Sequence, residues 1–197
     1  MKFNKLTQSR AGRIALVAIP ATFLSTVLMA GVAQGAVPVS FAVSGSQFKI
    51  GASQLDGAEF SQYGGVAVQA DGKPHPVAIA NIGTASLSDL CQSVVSKTPL
   101  GTIGLLINAG GGGKPAVATA LQTGMTDLQG DATFTNIRIG VDASKVNTSA
   151  KGTAGEFAQD ADHVVIANLK QTAWSTQAGT FALNGMHLQL TGGTECF

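Results

Sequence analysis

Ser46 and Lys49 have the spacing at which a lysine amine can activate a serine hydroxyl for attack on an ester or amide. In enzymes of this kind, Ser-x-x-Lys is accompanied by Ser-Asp-Asn and Lys-Thr-Gly elements, and the sequence contains neither. The Gly-x-Ser-x-Gly turn of α/β hydrolases is also absent from the sequence. We therefore predict no catalytic residue and expect Ser46 and Lys49 to be structural, with Ser46 as the nucleophile only if the chain hydrolyses esters.

Asp160, Asp162 and His163 form the densest group of potential metal ligands in the sequence. Alternate carboxylates can share a hard cation such as Ca²⁺, but the glycine and the distal glutamate of a calcium loop are missing. We predict no metal site and assign these residues to a solvated turn that enters a strand. His75 and His187 have no carboxylate or cysteine directly beside them, so no catalytic role is predicted for either.

Residues 108–115 contain four consecutive glycines and partly match a phosphate-binding loop. The first glycine of that motif is missing, and Pro115 occupies the position of the Ser or Thr that binds Mg²⁺. We expect a flexible loop and no cofactor. Asn147 begins a formal glycosylation sequon, and the single Trp174 and Tyr63 are assigned to the core.

Residues 14–33 form an uncharged segment that follows four positive charges, Lys2, Lys5, Arg10 and Arg13. As a helix, this segment would be about 30 Å long, which matches the hydrocarbon core of a bilayer. The positive charges favour an N-terminus inside the cell, so we expect the membrane to be a partner of residues 14–33 and residues 37–197 to be extracytoplasmic. Residues 1–36 are either a cleaved signal peptide or a retained transmembrane anchor, and the chain is accordingly secreted or anchored to the cytoplasmic membrane.

The distribution of charge excludes one class of partner. The chain has 12 Lys plus Arg and 11 Asp plus Glu, and without the four N-terminal cations 8 basic residues face 11 acidic ones, a net charge of −3. A nucleic-acid-binding protein needs a basic stripe for the phosphates, which eight scattered cations do not provide. We expect no nucleic-acid partner.

Apolar residues alternate with other residues in several runs of the outer domain, for example at Ile103, Leu105 and Ile107. A period of two predicts strands with one buried face. Asn184-Gly185 lies between two such runs and predicts a hairpin. We expect an all-β domain, an elongated β-sandwich or an irregular β-solenoid rather than a closed barrel, preceded by one N-terminal hydrophobic helix.

A short unit recurs around three asparagines. The hexapeptides at residues 77–82 and 164–169 are nearly identical and contain Asn81 and Asn168, and a looser copy contains Asn136. In each unit the inward face switches after the asparagine, which predicts a β-bulge or a solenoid corner at each of them.

Cys91 and Cys196 are the only cysteines of the chain. An even number of cysteines in a domain expected outside the cytoplasm favours a disulfide bond, and we predict one between Cys91 and Cys196. Two free buried thiols are the alternative. A metal site is disfavoured because neither cysteine has a histidine near it in the sequence.

Six stretches from residue 40 onward carry a resemblance to known proteins: SFAVSG (40–45), QYGG (62–65), LCQSV (90–94), GDATFTNI (130–137), NLKQTAW (168–174) and ECF (195–197). In these stretches the chain resembles a secreted or membrane-anchored actinobacterial family of unknown function. The resemblance covers most of the outer domain. Some members are labelled cholesterol esterase, which makes sterol-ester hydrolysis an implied activity, but the resemblance implies no set of catalytic residues.

From these observations we expect a non-enzymatic cell-envelope protein outside the cytoplasm, with a structural role or a binding role toward a lipid or a membrane protein. A lipid (sterol) ester hydrolase and an amphiphile carrier are the alternatives.

Overall fold

The regular elements in residues 44–99 and 101–197, the part that this computed structural model describes, are β-strands apart from one 3₁₀ turn. The strands are β1 (Phe48–Val68), β2 (Pro74–Ser88), β3 (Leu90–Thr98), β4 (Gly101–Ala109), β5 (Ala116–Thr135), β6 (Arg138–Asp142), β7 (Phe157–Gln177), β8 (Thr180–Ala182) and β9 (His187–Thr191), and the 3₁₀ turn is Ala143–Lys145. The all-β class predicted from the alternating apolar residues is confirmed.

The predicted N-terminal hydrophobic helix, residues 14–33, lies outside the described residues. Among those described, no helix is long and apolar enough to cross a bilayer. The described residues form one unit by their internal contacts, and all nine strands belong to it.

Strands β2 and β3 form one interrupted strand along the same edge of β1. Gln54 of β1 pairs with Ser88 of β2, and Gly51 pairs with Cys91 of β3, in the same antiparallel direction. Between the two strands, Asp89 has a left-handed φ of 50°. The register with β1 is the same on both sides of Asp89, so this residue interrupts the ladder without inserting a residue into it.

Two loops that face each other interrupt the next two segments of the sheet, in the way that Asp89 interrupts β2 and β3. Residues 110–115 join β4 to β5, and residues 183–186 join β8 to β9. The N–H of Gly110 donates to the carbonyl of Asn184 at 2.8 Å and ties the two loops together. Because β8 pairs with β5 while β9 pairs with β4, the predicted hairpin at Asn184-Gly185 is wrong. A local turn exists there, but its flanking strands find partners in β4 and β5 rather than in each other.

Four strands close into a ring of antiparallel pairs. Strand β1 pairs with β2, β2 with β5, β5 with β7, and β7 with β1 again. All strand pairs of the described residues are antiparallel and belong to a single nine-stranded sheet. The sequence analysis favoured an elongated β-sandwich or an irregular β-solenoid over a closed barrel. The single antiparallel sheet differs from both, because a sandwich has two sheets and a solenoid has parallel rungs. Strands of up to 21 residues accumulate enough twist, helped by bulges, to bring β7 back to β1.

Side chains that point into the ring form the main core. Met125 is the largest fully buried side chain, and the rings of Phe60 and Phe134 lie 5.3 Å apart. A second, smaller core lies outside the ring, where residues 143–156 connect β6 to β7 and cover Tyr63. The connecting segment is held in place partly by Asp142, whose carboxylate accepts from the N–H of Gly155 at 2.8 Å.

One of the three recurring units contains the predicted bulge. Asn136 and Asn168 both have a φ of 54°. At Asn168 the β5–β7 pairing shifts register between Gln129 and Asp131, which confirms the bulge there. Asn136 lies between β5 and β6, and the pairing with β7 keeps one register across it, so the bulge predicted at Asn136 is wrong. Asn81 is a buried residue within β2, and the bulge predicted there is wrong. Its amide instead donates to Ser61 and accepts from Gln122, so its polar atoms find partners across neighbouring strands of a regular ladder.

Candidate functional site

The interior of the ring contains a cavity of about 40 Å³, which we call the ring cavity. Twelve of the sixteen described residues that line it are apolar, including Leu55, Phe60 and Leu121. The other four are Gln92, Thr123, Gln171 and Thr176. An apolar cavity with a few polar groups is the usual composition of a small-molecule site.

Strand alternation turns Gln171 toward the cavity. Gln171 is in phase with Leu169 and Ala173 of β7, and all three are buried. In the sheet, Ile50 of β1 lies between Gln171 of β7 and Gln92 of β3. The two glutamines therefore flank Ile50 on the same face and give the ring cavity one polar wall.

Two polar atoms of the cavity are buried without a hydrogen-bond partner among the described residues, namely Nε2 of Gln171 and Oγ1 of Thr176. Gln171 is only 6% exposed, so bulk water is a poor substitute for a partner. A buried polar group without a partner costs about 1–3 kcal/mol, and folded proteins keep few of them. These atoms are positioned to bind a polar group on a molecule inside the cavity.

The described residues of the cavity lining carry no charged side chain. One of them, Leu128, is 38% exposed and lies opposite Gln171 in the β5–β7 pairing. The arrangement can hold an apolar group in the interior and a hydrogen-bonding group near Gln171. The described lining contains no carboxylate, imidazole, amine or thiol, and its hydroxyl groups are those of Thr123 and Thr176.

The sequence analysis did not identify Gln171 or Thr176 as site residues. A signal exists in the stretch NLKQTAW, where Gln171 is the polar member of an otherwise apolar inward row with Leu169 and Ala173. That row becomes visible only when the bulge at Asn168 sets the phase of the following residues. The inward position of Thr176 is harder to identify from the sequence, because it depends on a further irregularity in the β5–β7 pairing.

Lys49 has partners other than Ser46. Its ammonium group lies 2.9 Å from a carboxylate oxygen of Glu195 and 2.8 Å from the carbonyl oxygen of Phe197. Ser46 lies in a bend before β1, and its N–H contacts the hydroxyl of Ser44 at 3.5 Å. Among the described residues no hydrogen bond joins Ser46 to Lys49.

Asp160 is 1% exposed and has structural partners. It forms an ion pair with Arg138 at 2.5 Å and accepts from the N–H of Asn147 at 2.7 Å. The side-chain hydrogen bond from Arg138 to this carboxylate raises the pKa of Arg138. The amide of Asn147, the sequon asparagine, is also engaged and donates to the carbonyl of Ala161 at 2.8 Å.

Asp162 and His163 each have a different partner from Asp160. Asp162 accepts from the amide of Asn136 at 2.8 Å, and Nε2 of His163 lies 2.9 Å from a carboxylate oxygen of Asp56. The described residues contain no group of three or more side chains that could hold a metal ion. The three residues lie within β7 rather than in a turn that enters a strand, so that part of the prediction is wrong.

The remaining candidates are distributed over the sheet. His75 stacks on Trp174 with ring centroids 3.9 Å apart, and His187 pairs with Asn108 in the β4–β9 ladder. Tyr63 is 7% exposed, and burial raises the pKa of its hydroxyl. In the glycine-rich loop, the carbonyl of Pro115 accepts from the amide of Asn184 at 2.8 Å.

The sulfur atoms of Cys91 and Cys196 lie 2.06 Å apart, and their Cα atoms 5.8 Å apart. Both distances are those of a disulfide bond. The N–H of Cys196 also donates to the hydroxyl of Ser93 at 3.0 Å. The segment that follows β9 is therefore attached to β3 by a covalent and a polar contact.

No curated protein and no solved structure matches the chain significantly. A family model matches residues 44–197, a range that contains all nine strands and the ring cavity. The chain belongs to this family, DUF6230, which is a family of unknown function.

Proposed function

We propose that this chain is a non-catalytic cell-envelope protein whose outer domain binds the apolar part of an amphiphile inside the ring. The observation that carries the proposal is the ring cavity, whose lining is apolar except for four uncharged polar residues. Burial of apolar groups in such a cavity is favourable by about 25 cal/mol per Å². The unpartnered atoms of Gln171 and Thr176 support a ligand that also has a polar group.

The proposed location outside the cytoplasm rests on the N-terminal sequence and on the cysteine pair. The uncharged segment after four positive charges is typical of export, and a disulfide persists outside the cytoplasm. Within this proposal, residues 1–36 are a cleaved signal or a membrane anchor. A retained anchor would hold the outer domain at the lipids of the cytoplasmic membrane, whereas a cleaved signal would release it outside that membrane.

The proposal of a binding role rather than catalysis is supported by the partners of the reactive side chains. The ammonium group of Lys49 is paired with Glu195 and with the carbonyl oxygen of Phe197 instead of Ser46. The resemblance to actinobacterial proteins, some of them labelled cholesterol esterase, agrees with a lipid ligand. Ester hydrolysis is the competing function. A search for bound lipid, combined with a measurement of ester turnover, distinguishes the two functions.

The test is to purify the full chain from its native envelope, extract it with organic solvent and identify bound lipid by mass spectrometry. We expect a lipid to co-purify with the wild-type chain and to be reduced several-fold in Ala80→Leu, because Ala80 lines the ring cavity and a larger side chain would fill it. Val66→Leu is the matched control, since Val66 is 55% exposed and does not line the cavity.

Two results would overturn the proposal. One is a wild-type chain that contains no lipid and takes up none from vesicles of a bacterial lipid extract. The other is turnover of short-chain or sterol esters that disappears in Ser46→Ala, because it would establish the hydrolase.

A further inference from the structure

We infer that the ring cavity selects amphiphiles whose polar group is a neutral hydroxyl, bound by the side-chain amide of Gln171. This inference rests on the proposed function, since it names the ligand class of the same cavity. It depends on three properties of the cavity: the burial of Gln171, the lack of charge in the described lining and the exposure of Leu128 at one end of the lining.

Gln171 has the burial and orientation expected of a ligand-binding residue. It is 6% exposed, it lines the cavity, and its Nε2 atom has no partner among the described residues. An amide presents a donor and an acceptor side by side, and a hydroxyl group can both donate and accept. A hydroxyl therefore pairs with either end of the Gln171 amide, whichever way the amide is turned.

The lining excludes charged groups. A carboxylate or an ammonium ion that enters an apolar cavity loses its hydration, and this loss is compensated only by an opposite charge. No Lys, Arg, Asp, Glu or His occurs among the described residues that line the ring cavity. A fatty acid anion or an alkylamine would therefore bind less well than the alcohol of the same length.

The register places the polar and apolar parts of the site in a defined order. Leu128, Gln171, Ile50 and Gln92 follow one another across β5, β7, β1 and β3. Leu128 is 38% exposed and is the exposed end of this row. The hydroxyl group would therefore lie beside Leu128, with the chain directed toward the apolar residues around Phe60 and Leu121.

The test compares three probes of equal chain length, hexan-1-ol, hexanoate and hexylammonium, by isothermal titration calorimetry at pH 7 with the delipidated full chain. We expect hexan-1-ol to bind at least tenfold more tightly than either ion. A fourth titration with cyclohexanol shows whether the cavity prefers a ring alcohol or a linear one. Tight binding of either alcohol supports the inference.

Gln171→Met keeps the length of the side chain but removes the amide, and it should weaken hexan-1-ol binding about tenfold, the effect of one lost hydrogen bond of about 1.4 kcal/mol. Gln189→Met is the control, because Gln189 is exposed on β9 and does not line the cavity. A measurement that needs no variant is the nitrogen NMR signal of the Gln171 side-chain amide, which should shift when hexan-1-ol is added to the wild-type chain.

The outcomes separate this inference from the proposed function. Hexanoate binding that equals or exceeds hexan-1-ol binding, or a Gln171 amide signal that does not move at saturation, overturns the hydroxyl selectivity and leaves an amphiphile-binding protein. If no probe binds and the native chain contains no lipid, the proposed function fails as well.

Discussion

The hydroxyl oxygens of Ser61 and Thr148 lie 2.5 Å apart, between strand β1 and the segment that joins β6 to β7. Ser61 is fully buried and Thr148 is 2% exposed. Asn81 of β2 donates to the same oxygen of Ser61 at 3.2 Å. This contact therefore connects the covering segment, residues 143–156, to two strands of the ring.

Replacing Thr148 by valine should lower the free energy of unfolding by about 1–2 kcal/mol, because the shape is kept while a buried hydrogen bond is lost. Thr148→Ser retains the hydroxyl and serves as the control for the missing methyl group. Urea unfolding followed by circular dichroism measures both variants. Equal stability of the valine and serine variants would contradict a stabilising role of the contact.

Removal of the Cys91–Cys196 bond should destabilise the domain by up to about 4 kcal/mol, because the bond closes a long loop in the unfolded chain. The two residues are 105 positions apart. A variant with serine at both positions should unfold at lower urea concentration than the wild type, and reductant should affect only the wild type. If intact mass spectrometry finds two free thiols in the native protein, the bond itself is ruled out.

Gly110→Ala should be clearly more destabilising than Gly112→Ala, although both glycines have a positive φ, 75° and 64°. A Cβ atom at Gly110 would lie 2.5 Å from the carbonyl oxygen of Leu87, whereas Gly112 has open space around it. We expect a loss of about 1 kcal/mol for Gly112→Ala from backbone strain and of about 2 kcal/mol or more for Gly110→Ala. Thermal unfolding of the two variants measures the difference, and a similar loss for both would argue against the close approach at Gly110.

The stability of the domain should decrease above about pH 10 in a manner that depends on Tyr63. Burial raises the pKa of Tyr63, with a smaller opposing effect of its hydrogen bond with Asn81. The unfolded chain then releases this proton at a lower pH than the folded chain, so the contribution is complete below the unfolded pKa and is lost as pH rises toward the folded value. In Tyr63→Phe, the urea midpoint should fall less between pH 9 and pH 11 than in the wild type. An identical fall in both proteins would disprove the assignment.

The all-β class could be predicted from the sequence because the alternation of residues such as Ile103, Leu105 and Ile107 is a local property. The ring could not, because its closure depends on the pairing of Phe48 with Ala173, two residues far apart in the chain. The turn at Asn184-Gly185 shows the same limit. A local preference for a turn was correctly identified, but the partners of the flanking strands are set by the rest of the sheet.

The cavity residues were missed for a related reason. Asn81 and Asn168 lie in nearly identical hexapeptides, yet only Asn168 forms a bulge. The difference comes from neighbours in other strands, since the Asn81 amide is bonded to Ser61 and Gln122. Because a bulge shifts the phase of the residues that follow, the inward position of Gln171 could not be predicted without knowing which asparagine makes one.

Closure of the ring by β7 also affects the order in which the protein can fold during its synthesis. Strand β1 is synthesised before the other strands, but its partner β7 leaves the ribosome only after the five strands between them. Until then β1 lacks its long-range partner, and pairings over such sequence distances form slowly. The ring can therefore close only late in synthesis, and the stability that depends on its closure is also gained late.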